Sequence, residues 1–66
     1  MYIVIYDYKA QAQYTVSAIW ESQYYIRYAT MQGQPKTFNS SEATRIAARL
    51  NAQFKTRGER CRAETR

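Results

Sequence analysis

Arginine, lysine and tyrosine are the abundant residues in this sequence whose side chains could bind a ligand. Residues 36–66 carry eight of the ten basic residues and three of the five acidic ones, which accounts for the whole net charge of +5. All seven tyrosines lie between Tyr2 and Tyr28. Guanidinium and ammonium groups contact phosphates, and tyrosine rings stack on nucleobases or anchor protein interfaces. The composition therefore favours binding over catalysis.

The groups that acid–base and metal chemistry require are missing or isolated. The chain has no histidine, and Cys61 is its single cysteine, so neither a Cys/His zinc site nor an intrachain disulfide can form. Arg60 and Arg62 could lower the pKa of the Cys61 thiol, but no base accompanies it, and we expect an exposed thiol without a function. Gly33 and Gly58 are too isolated to build a phosphate-binding loop. We predict a protein that is not an enzyme and needs no cofactor or metal.

The basic half of the chain is the first candidate site. Arg45 and Arg49 are four residues apart, which makes them neighbours on a helix surface. Further basic residues continue the positive charge past the predicted end of that helix, as a phosphate-binding surface requires. A charged surface that only keeps a small domain soluble is the alternative. The predicted nucleic-acid-binding residues are Arg27, Arg45, Arg49, Lys55, Arg57, Arg60 and Arg62.

The tyrosine-rich half is the second candidate site. One face of the predicted sheet must cover the helix, so several large side chains remain on the open face. We predict Tyr25, Tyr2 and Tyr6 as residues that stack on bases or anchor a protein interface. The alternative is that tyrosine is only a favourable strand residue here.

Three segments of the first half have the composition of strands. Met1–Tyr8 is rich in β-branched and aromatic residues, and both Gln13–Glu21 and Gln23–Met31 alternate between apolar and polar residues. Short polar loops between them favour an antiparallel meander, and Gln32–Pro35 is a turn. Lys36–Phe38 adds a fourth strand or leads into the helix.

The alternation determines only in part which side chains of the sheet cover the helix. Tyr24, Ile26 and Tyr28 share one face, as do Tyr14, Val16 and Trp20, and we expect both sets to face inward. In the first strand the alternation leaves two choices open. The inward face carries either Ile3 and Ile5, or it carries Tyr2, Val4, Tyr6 and Tyr8.

The helix signal is the strongest local signal in the chain. Asn39 is a favourable N-cap, and Glu42 lies three residues later, as in a capping box. Gly58 is a plausible C-terminal stop. Apolar residues recur between these limits at helical spacing and form one stripe, Ala43, Ile46, Ala47, Leu50 and Phe54.

Together these elements predict an α+β fold, a three- or four-stranded antiparallel sheet followed by one C-terminal helix packed on one face. Residues 1–57 would form the single domain. Residues 58–66 are basic and too polar to pack, so we predict a flexible tail.

The junction between strand and helix resembles a known family. Lys36-Thr37-Phe38-Asn39-Ser40-Ser41-Glu42-Ala43, followed by Ile46-Ala47, is similar to the strand-to-helix junction of AP2-like domains and of the related arm-binding domains of phage-type integrases. Those domains insert a three-stranded sheet into the DNA major groove, which implies DNA binding here. The family carries arginines along its strands, whereas these strands offer only Arg27. Contact with DNA is therefore assigned to the helix and tail.

The predicted partner is DNA or RNA, bound by a basic helix and tail together with tyrosine-rich strands. In size the chain also resembles small phage-encoded proteins, among them anti-CRISPR proteins. The alternative function is accordingly a phage-type inhibitor or adaptor that binds a host nucleic-acid-handling protein complex through the tyrosine-rich sheet. An open strand edge would also permit a homodimer. With one thiol and no apolar stretch of membrane-spanning length, we expect a cytoplasmic protein with no membrane partner.

Overall fold

The computed structural model describes residues 1–30 and 33–66, which form five strands and one helix of the α+β class. Four strands precede helix α1 (Ser40–Arg57) and one follows it. The strands are β1 (Ile3–Asp7), β2 (Ala12–Thr15), β3 (Ala18–Glu21), β4 (Ile26–Ala29) and β5 (Cys61–Thr65).

The strands form two antiparallel sheets, and the prediction of a single sheet is wrong. One sheet has the order β2-β1-β5, and the other is the β3-β4 hairpin. The chain changes sheets within the segment that we predicted as one strand, Gln13–Glu21. The Val16 N–H donates to the Ile3 carbonyl in the first sheet (2.8 Å), whereas the Ser17 N–H donates to the Ala29 carbonyl in the second (2.8 Å). Two consecutive backbone amides therefore donate hydrogen bonds to two different sheets.

The segment before the helix is hydrogen-bonded to residues that flank the strands of the first sheet, and it does not form a strand itself. The Lys36 N–H donates to the Val16 carbonyl (3.0 Å), and the Phe38 N–H donates to the Met1 carbonyl (2.7 Å). Lys36–Phe38 therefore leads into the helix, the second of the two roles predicted for it. The predicted strand end at Met31 and the turn residue Gln32 lie outside the described residues.

Helix α1 begins and ends where its sequence signals predict. The Asn39 side chain accepts a hydrogen bond from the Glu42 N–H (2.8 Å), which satisfies a free amide of the first turn. Gly58 ends the helix in the left-handed conformation, at φ 68°, which costs a residue without Cβ little. All five residues of the predicted apolar stripe are buried.

The core lies between this apolar stripe and both sheets, and it resolves the choice left open for the first strand. Ile3 and Ile5 face the core, where they join Val16, Ile26 and Phe38. Val4 is buried as well, but it lies outside this cluster because alternation turns it to the opposite face of the sheet. Tyr2 and Tyr8 are exposed on that face.

The hairpin departs from the inward face that its alternation predicts. Trp20 is 50% exposed and Tyr24 is 88% exposed, so neither covers the helix. Ile19 packs against the core instead, opposite Tyr28 in the register of the hairpin. The chain changes sheets after Val16, and this exchanges the residues that face inward with those that face outward. The prediction failed because it assumed one continuous alternation across Gln13–Glu21.

The predicted flexible tail is wrong, because most of it is strand β5. Cys61–Thr65 pairs antiparallel with β1 and makes β1 the central strand of its sheet. Ala63 is 4% exposed and lies opposite Ile5, so the strand contributes one small buried side chain to the core, and Cys61 packs at its margin. The helix therefore lies before the last strand, and the fold does not end in a helix.

Two carboxamides of the helix complete the backbone hydrogen bonding of the two sheets. Asn51 donates to the Ala63 carbonyl (3.0 Å) and accepts from the Ala63 N–H (2.7 Å) on β5. Gln53 makes the same two-point contact with Ile26 on β4, at 2.9 Å in both directions. Each carboxamide occupies the place of a neighbouring strand at a sheet edge, and together they hold the helix between the sheets.

We expect Asn51→Ala to lower the free energy of unfolding by about 1–3 kcal/mol, because both backbone groups of the buried Ala63 lose their partner. Gln53→Ala should act in the same direction through Ile26. Thr56→Ala is the matched control, since the exposed Thr56 hydroxyl bonds only within its own helix, and it should stay within about 0.5 kcal/mol. Equal losses for Asn51 and Thr56 in urea unfolding would contradict this role.

Candidate nucleic-acid interface

The outer face of the three-stranded sheet brings tyrosines and arginines together in register. Tyr6 is the partner of Arg62 across β1 and β5. Two further pairs extend this register beyond the strand ends. The Tyr2 and Arg66 backbones exchange two hydrogen bonds (2.6 and 2.8 Å), and the Tyr8 N–H donates to the Arg60 carbonyl (2.9 Å). These six residues form the tyrosine–arginine face, composed of Tyr2, Tyr6, Tyr8, Arg60, Arg62 and Arg66.

Four of the six side chains of this face contact one another. The Arg62 guanidinium carbon lies 5.6 Å from the centroid of the Tyr6 ring and 5.9 Å from that of Tyr8. The Arg66 guanidinium lies 5.6 Å from the Tyr6 centroid and also donates to the Tyr6 hydroxyl. The distances are those of cation–π pairs, which are worth about 0.5–1 kcal/mol at exposed sites. Arg62 and Arg66 are thus held over the rings of Tyr6 and Tyr8.

The buried centre and the positive charge of this face suit an anionic ligand. Val4 is buried in its centre, so the face rests on packed structure. Glu64 lies opposite Val4 and forms an ion pair with Arg62, in which Oε1 of Glu64 is 2.5 Å from Nη2 of Arg62. Three arginines against one carboxylate leave the face with positive charge.

The predicted helix arginines are occupied by a contact within the chain. Arg45 forms a two-point contact with Glu21 (2.6 and 2.9 Å), and Arg49 donates to the same carboxylate (2.9 Å). Arg49 also donates to the Ser22 carbonyl (2.9 Å). These hydrogen bonds lower the pKa of Glu21 from 4.5 to about 2, chiefly through Arg45, against a smaller opposing effect of burial. We name Glu21, Arg45 and Arg49 the ion-pair cluster. It joins the hairpin to the helix.

The hairpin carries a second group of arginine–aromatic contacts. Arg27 lies opposite Trp20 with its guanidinium carbon 4.9 Å from the ring centroid. The Arg57 guanidinium carbon lies 4.3 Å from the centroid of Tyr25, and its Nη1 is 3.5 Å from the Tyr25 hydroxyl. Tyr24 projects beyond them at the hairpin tip. This group has one guanidinium per ring and no common register with β1 and β5.

The structure therefore divides the predicted site residues among different surfaces. Tyr2, Tyr6, Arg60 and Arg62 come together on the tyrosine–arginine face. Arg45 and Arg49 belong to the ion-pair cluster, and Arg27, Arg57 and Tyr25 belong to the hairpin group. Lys55 is exposed on the last turn of the helix. The face also includes two residues that the sequence analysis left out of the site, Tyr8 and Arg66. One sequence feature could have identified them. Charged residues alternate with small ones from Arg60 onward, which is the pattern of a strand that could pair with Met1–Tyr8.

Cys61 differs from its sequence expectation in both exposure and pKa, and its side chain is half-buried. The flanking arginines do not lower the pKa of its thiol. Burial raises that pKa, with smaller contributions from the carboxylates of Asp7 and Glu59. Alternation along β5 turns Arg60 and Arg62 to the outer face of the sheet, whereas Cys61 packs at the margin of the core.

Residues 1–30 and 33–66 lack two features, a metal-binding cluster and a membrane-spanning helix. This part of the chain contains no cluster of three or more carboxylate, thiol or imidazole groups that could hold a metal ion. Its helix is not apolar enough to cross a membrane. Comparisons with protein-family models, curated proteins and solved structures found no match for this chain.

We expect Glu21→Gln to destabilise the protein at neutral pH by about 1 kcal/mol, because the ion-pair cluster is partly exposed and screened by water. The folded pKa of about 2 lies below the ordinary 4.5, so the contribution of Glu21 is complete above about pH 5 and is lost as the pH falls towards 2. The difference in melting temperature between the wild type and Glu21→Gln should therefore shrink between pH 6 and pH 2.5. A difference that stays constant would show that the carboxylate charge contributes nothing.

Proposed function

We propose that this protein is a non-enzymatic, cytoplasmic nucleic-acid-binding protein, and that it binds single strands on the tyrosine–arginine face. The observation that carries the proposal is the register of β1 and β5, in which each of the three tyrosines lies opposite an arginine. Proteins that bind single strands combine aromatic rings, on which bases stack, with positive charge along the backbone path. Both elements lie side by side here on one face, the tyrosines along β1 and the arginines along β5.

The contacts within the face are weak enough for a bound strand to replace them, and this includes the exposed ion pair between Arg62 and Glu64. A base that stacks on an aromatic side chain contributes about 1–3 kcal/mol, which exceeds the 0.5–1 kcal/mol or so of an exposed cation–π contact. A base can therefore replace a guanidinium above Tyr6. The displaced guanidinium of Arg62 or Arg66 remains within reach of the phosphate that belongs to that base.

The helix is disfavoured as the principal contact, because one carboxylate, that of Glu21, binds two of its arginines at once. Arg45 and Arg49 would have to leave Glu21 before they could bind phosphate, and the carboxylate left behind would repel the ligand. The binding surface proposed here thus moves from the helix to the sheet, and β5 supplies the charge that the strands of the first half lack.

A second candidate function is supported by the hairpin. Tyr24 is almost fully exposed and Trp20 is half exposed, beside Arg27 and Arg57. Tyrosine, tryptophan and arginine dominate the energetics of protein interfaces. An inhibitor or adaptor that binds an acidic surface of a nucleic-acid-handling protein would use this hairpin.

The test is the binding of a fluorescent single strand and of the matching duplex, measured between about 50 and 200 mM salt. Neutralisation of phosphates by three arginines predicts a slope of log K against log salt of about −2 for the single strand, at about 0.7 per phosphate. The duplex should bind more weakly, because its bases are not free to stack on the tyrosines.

Substitutions assign that binding to the face. Tyr6→Leu should weaken binding by about 1–3 kcal/mol and leave the salt slope unchanged. Arg62→Gln should reduce the slope by at least about 0.7. Lys55→Gln is the control, since it removes the same charge from the exposed end of the helix and should change the slope little. Absent binding, or a Lys55 effect as large as that of Arg62, would sink the proposal, and absent binding would favour the hairpin and a protein partner.

A further inference from the structure

Four strands lie at the edges of the two sheets, and they differ in what protects each edge. The carboxamides of Asn51 and Gln53 cover the edges of β5 and β4. β3 ends in Glu21, which binds two helix arginines. β2 has the sequence Ala-Gln-Tyr-Thr and is the one strand among these four that contains no charged residue. Sheets usually protect their edges with charges or covering groups, so the edge of β2 is a candidate pairing surface.

The outward backbone groups of β2 belong to Gln13 and Thr15. The Val16 N–H donates to the Ile3 carbonyl, so Ile3 and Val16 form a hydrogen-bonded pair in the register of β1 and β2. Alternation along the ladder then directs the N–H and C=O groups of Gln13 and Thr15 away from β1. In the described part of the chain, none of these four groups has a hydrogen-bond partner. They are available to a further strand.

Tyr14 lies between these two residues and is exposed although it shares a face with the core. It is the partner of Ile5, whose side chain belongs to the core. Helix α1 packs against β5 and β4, and Tyr14 at the opposite edge of its sheet remains 41% exposed. A large aromatic side chain on an edge strand becomes buried when another strand pairs beside it.

We propose that β2 pairs antiparallel with β2 of a second copy of this chain, in the register that places the two Tyr14 side chains opposite each other. Gln13 of each copy then lies opposite Thr15 of the other, and the two pairs exchange four backbone hydrogen bonds. The same residues serve both copies, so a two-fold axis closes the contact. The pairing is independent of the proposed function, since it uses no residue of the tyrosine–arginine face.

The positive charges of the two copies stay far apart in this arrangement. The combined sheet has the order β5-β1-β2-β2-β1-β5, so five strand spacings of about 4.8 Å, or roughly 24 Å, separate the two β5 strands. Salt screens exposed charges over about 8 Å at physiological ionic strength, so the arginines of the two β5 strands repel each other weakly. The two-fold axis is perpendicular to the sheet, which leaves both tyrosine–arginine faces on one side of it.

Sedimentation velocity of the full chain between about 20 μM and about 1 mM tests the pairing, because so small a contact should dissociate on dilution. We expect a reversible shift from monomer to dimer over this range. Gln13→Lys places a charge on the edge and should keep the protein monomeric. Gln23→Lys is the matched control, since it makes the same change in the exposed loop of the β3–β4 hairpin and should leave the dimer unchanged. A wild type that stays monomeric throughout, or equal effects of the two substitutions, overturns the proposal.

Cysteine cross-linking tests the register, in a Cys61→Ser background that removes the native thiol. Facing residues of a non-hydrogen-bonded pair have Cα atoms about 4.5 Å apart, which a disulfide can span, so Tyr14→Cys should give a covalent dimer with oxidised glutathione. Gln13→Cys is the control, because the two Gln13 residues lie diagonally, about 7–8 Å apart, beyond the usual range. Comparable cross-linking of both variants, or none of Tyr14→Cys, overturns the proposal and leaves the proposed function standing.

Discussion

The pairing of β5 with β1 is the interaction on which the rest of this structure depends. It makes β1 a central strand, brings Ala63 against the core, and gives Asn51 of the helix a strand edge to bind. A chain of this length buries only about 60% of its unfolded surface, so an additional strand is a large fraction of its stability. The same pairing places three arginines opposite three tyrosines. Fold and candidate site therefore have one origin.

Local signals in the sequence predicted the helix completely and the strands only in part. The Asn39 cap, the Gly58 stop and the apolar stripe depend on residues within one or two turns, and all three are confirmed. The direction of the first strand depends on what packs against it, so Ile3 and Tyr6 could not be ranked from alternation alone. The change of sheet between Val16 and Ser17 is likewise determined by two distant partners, Ile3 and Ala29.

Strand β5 was not predicted, because it lacks the large apolar residues by which strands are recognised in a sequence. Its inward positions carry Cys61 and Ala63, and its outward positions carry charged residues. The period of two is present, but its apolar residues are too small to contribute much burial on their own. What stabilises the strand is backbone pairing with β1 on one edge and Asn51 on the other, which are contacts between residues far apart in the sequence.

The candidate site combines residue types that the sequence displays with positions that only the fold determines. Most basic residues lie in the second half of the chain and all tyrosines in the first, but the sequence gives no indication of which arginines have carboxylate partners. Glu21 lies 24 residues before Arg45 and still forms a two-point contact with it. Arg62 forms an ion pair with Glu64 on its own strand, yet it remains over the tyrosine rings. The surface proposed for nucleic acid is accordingly the sheet.

A titration of the isotope-labelled protein with a short single strand, followed through its backbone amide resonances, tests the central claim most directly. We expect the largest chemical-shift changes at residues 2–8 and 60–66, with small changes in the helix around Arg45 and Arg49. Changes concentrated in the helix or at Tyr24 and Tyr25, with β1 and β5 unaffected, would contradict the assignment of binding to the tyrosine–arginine face.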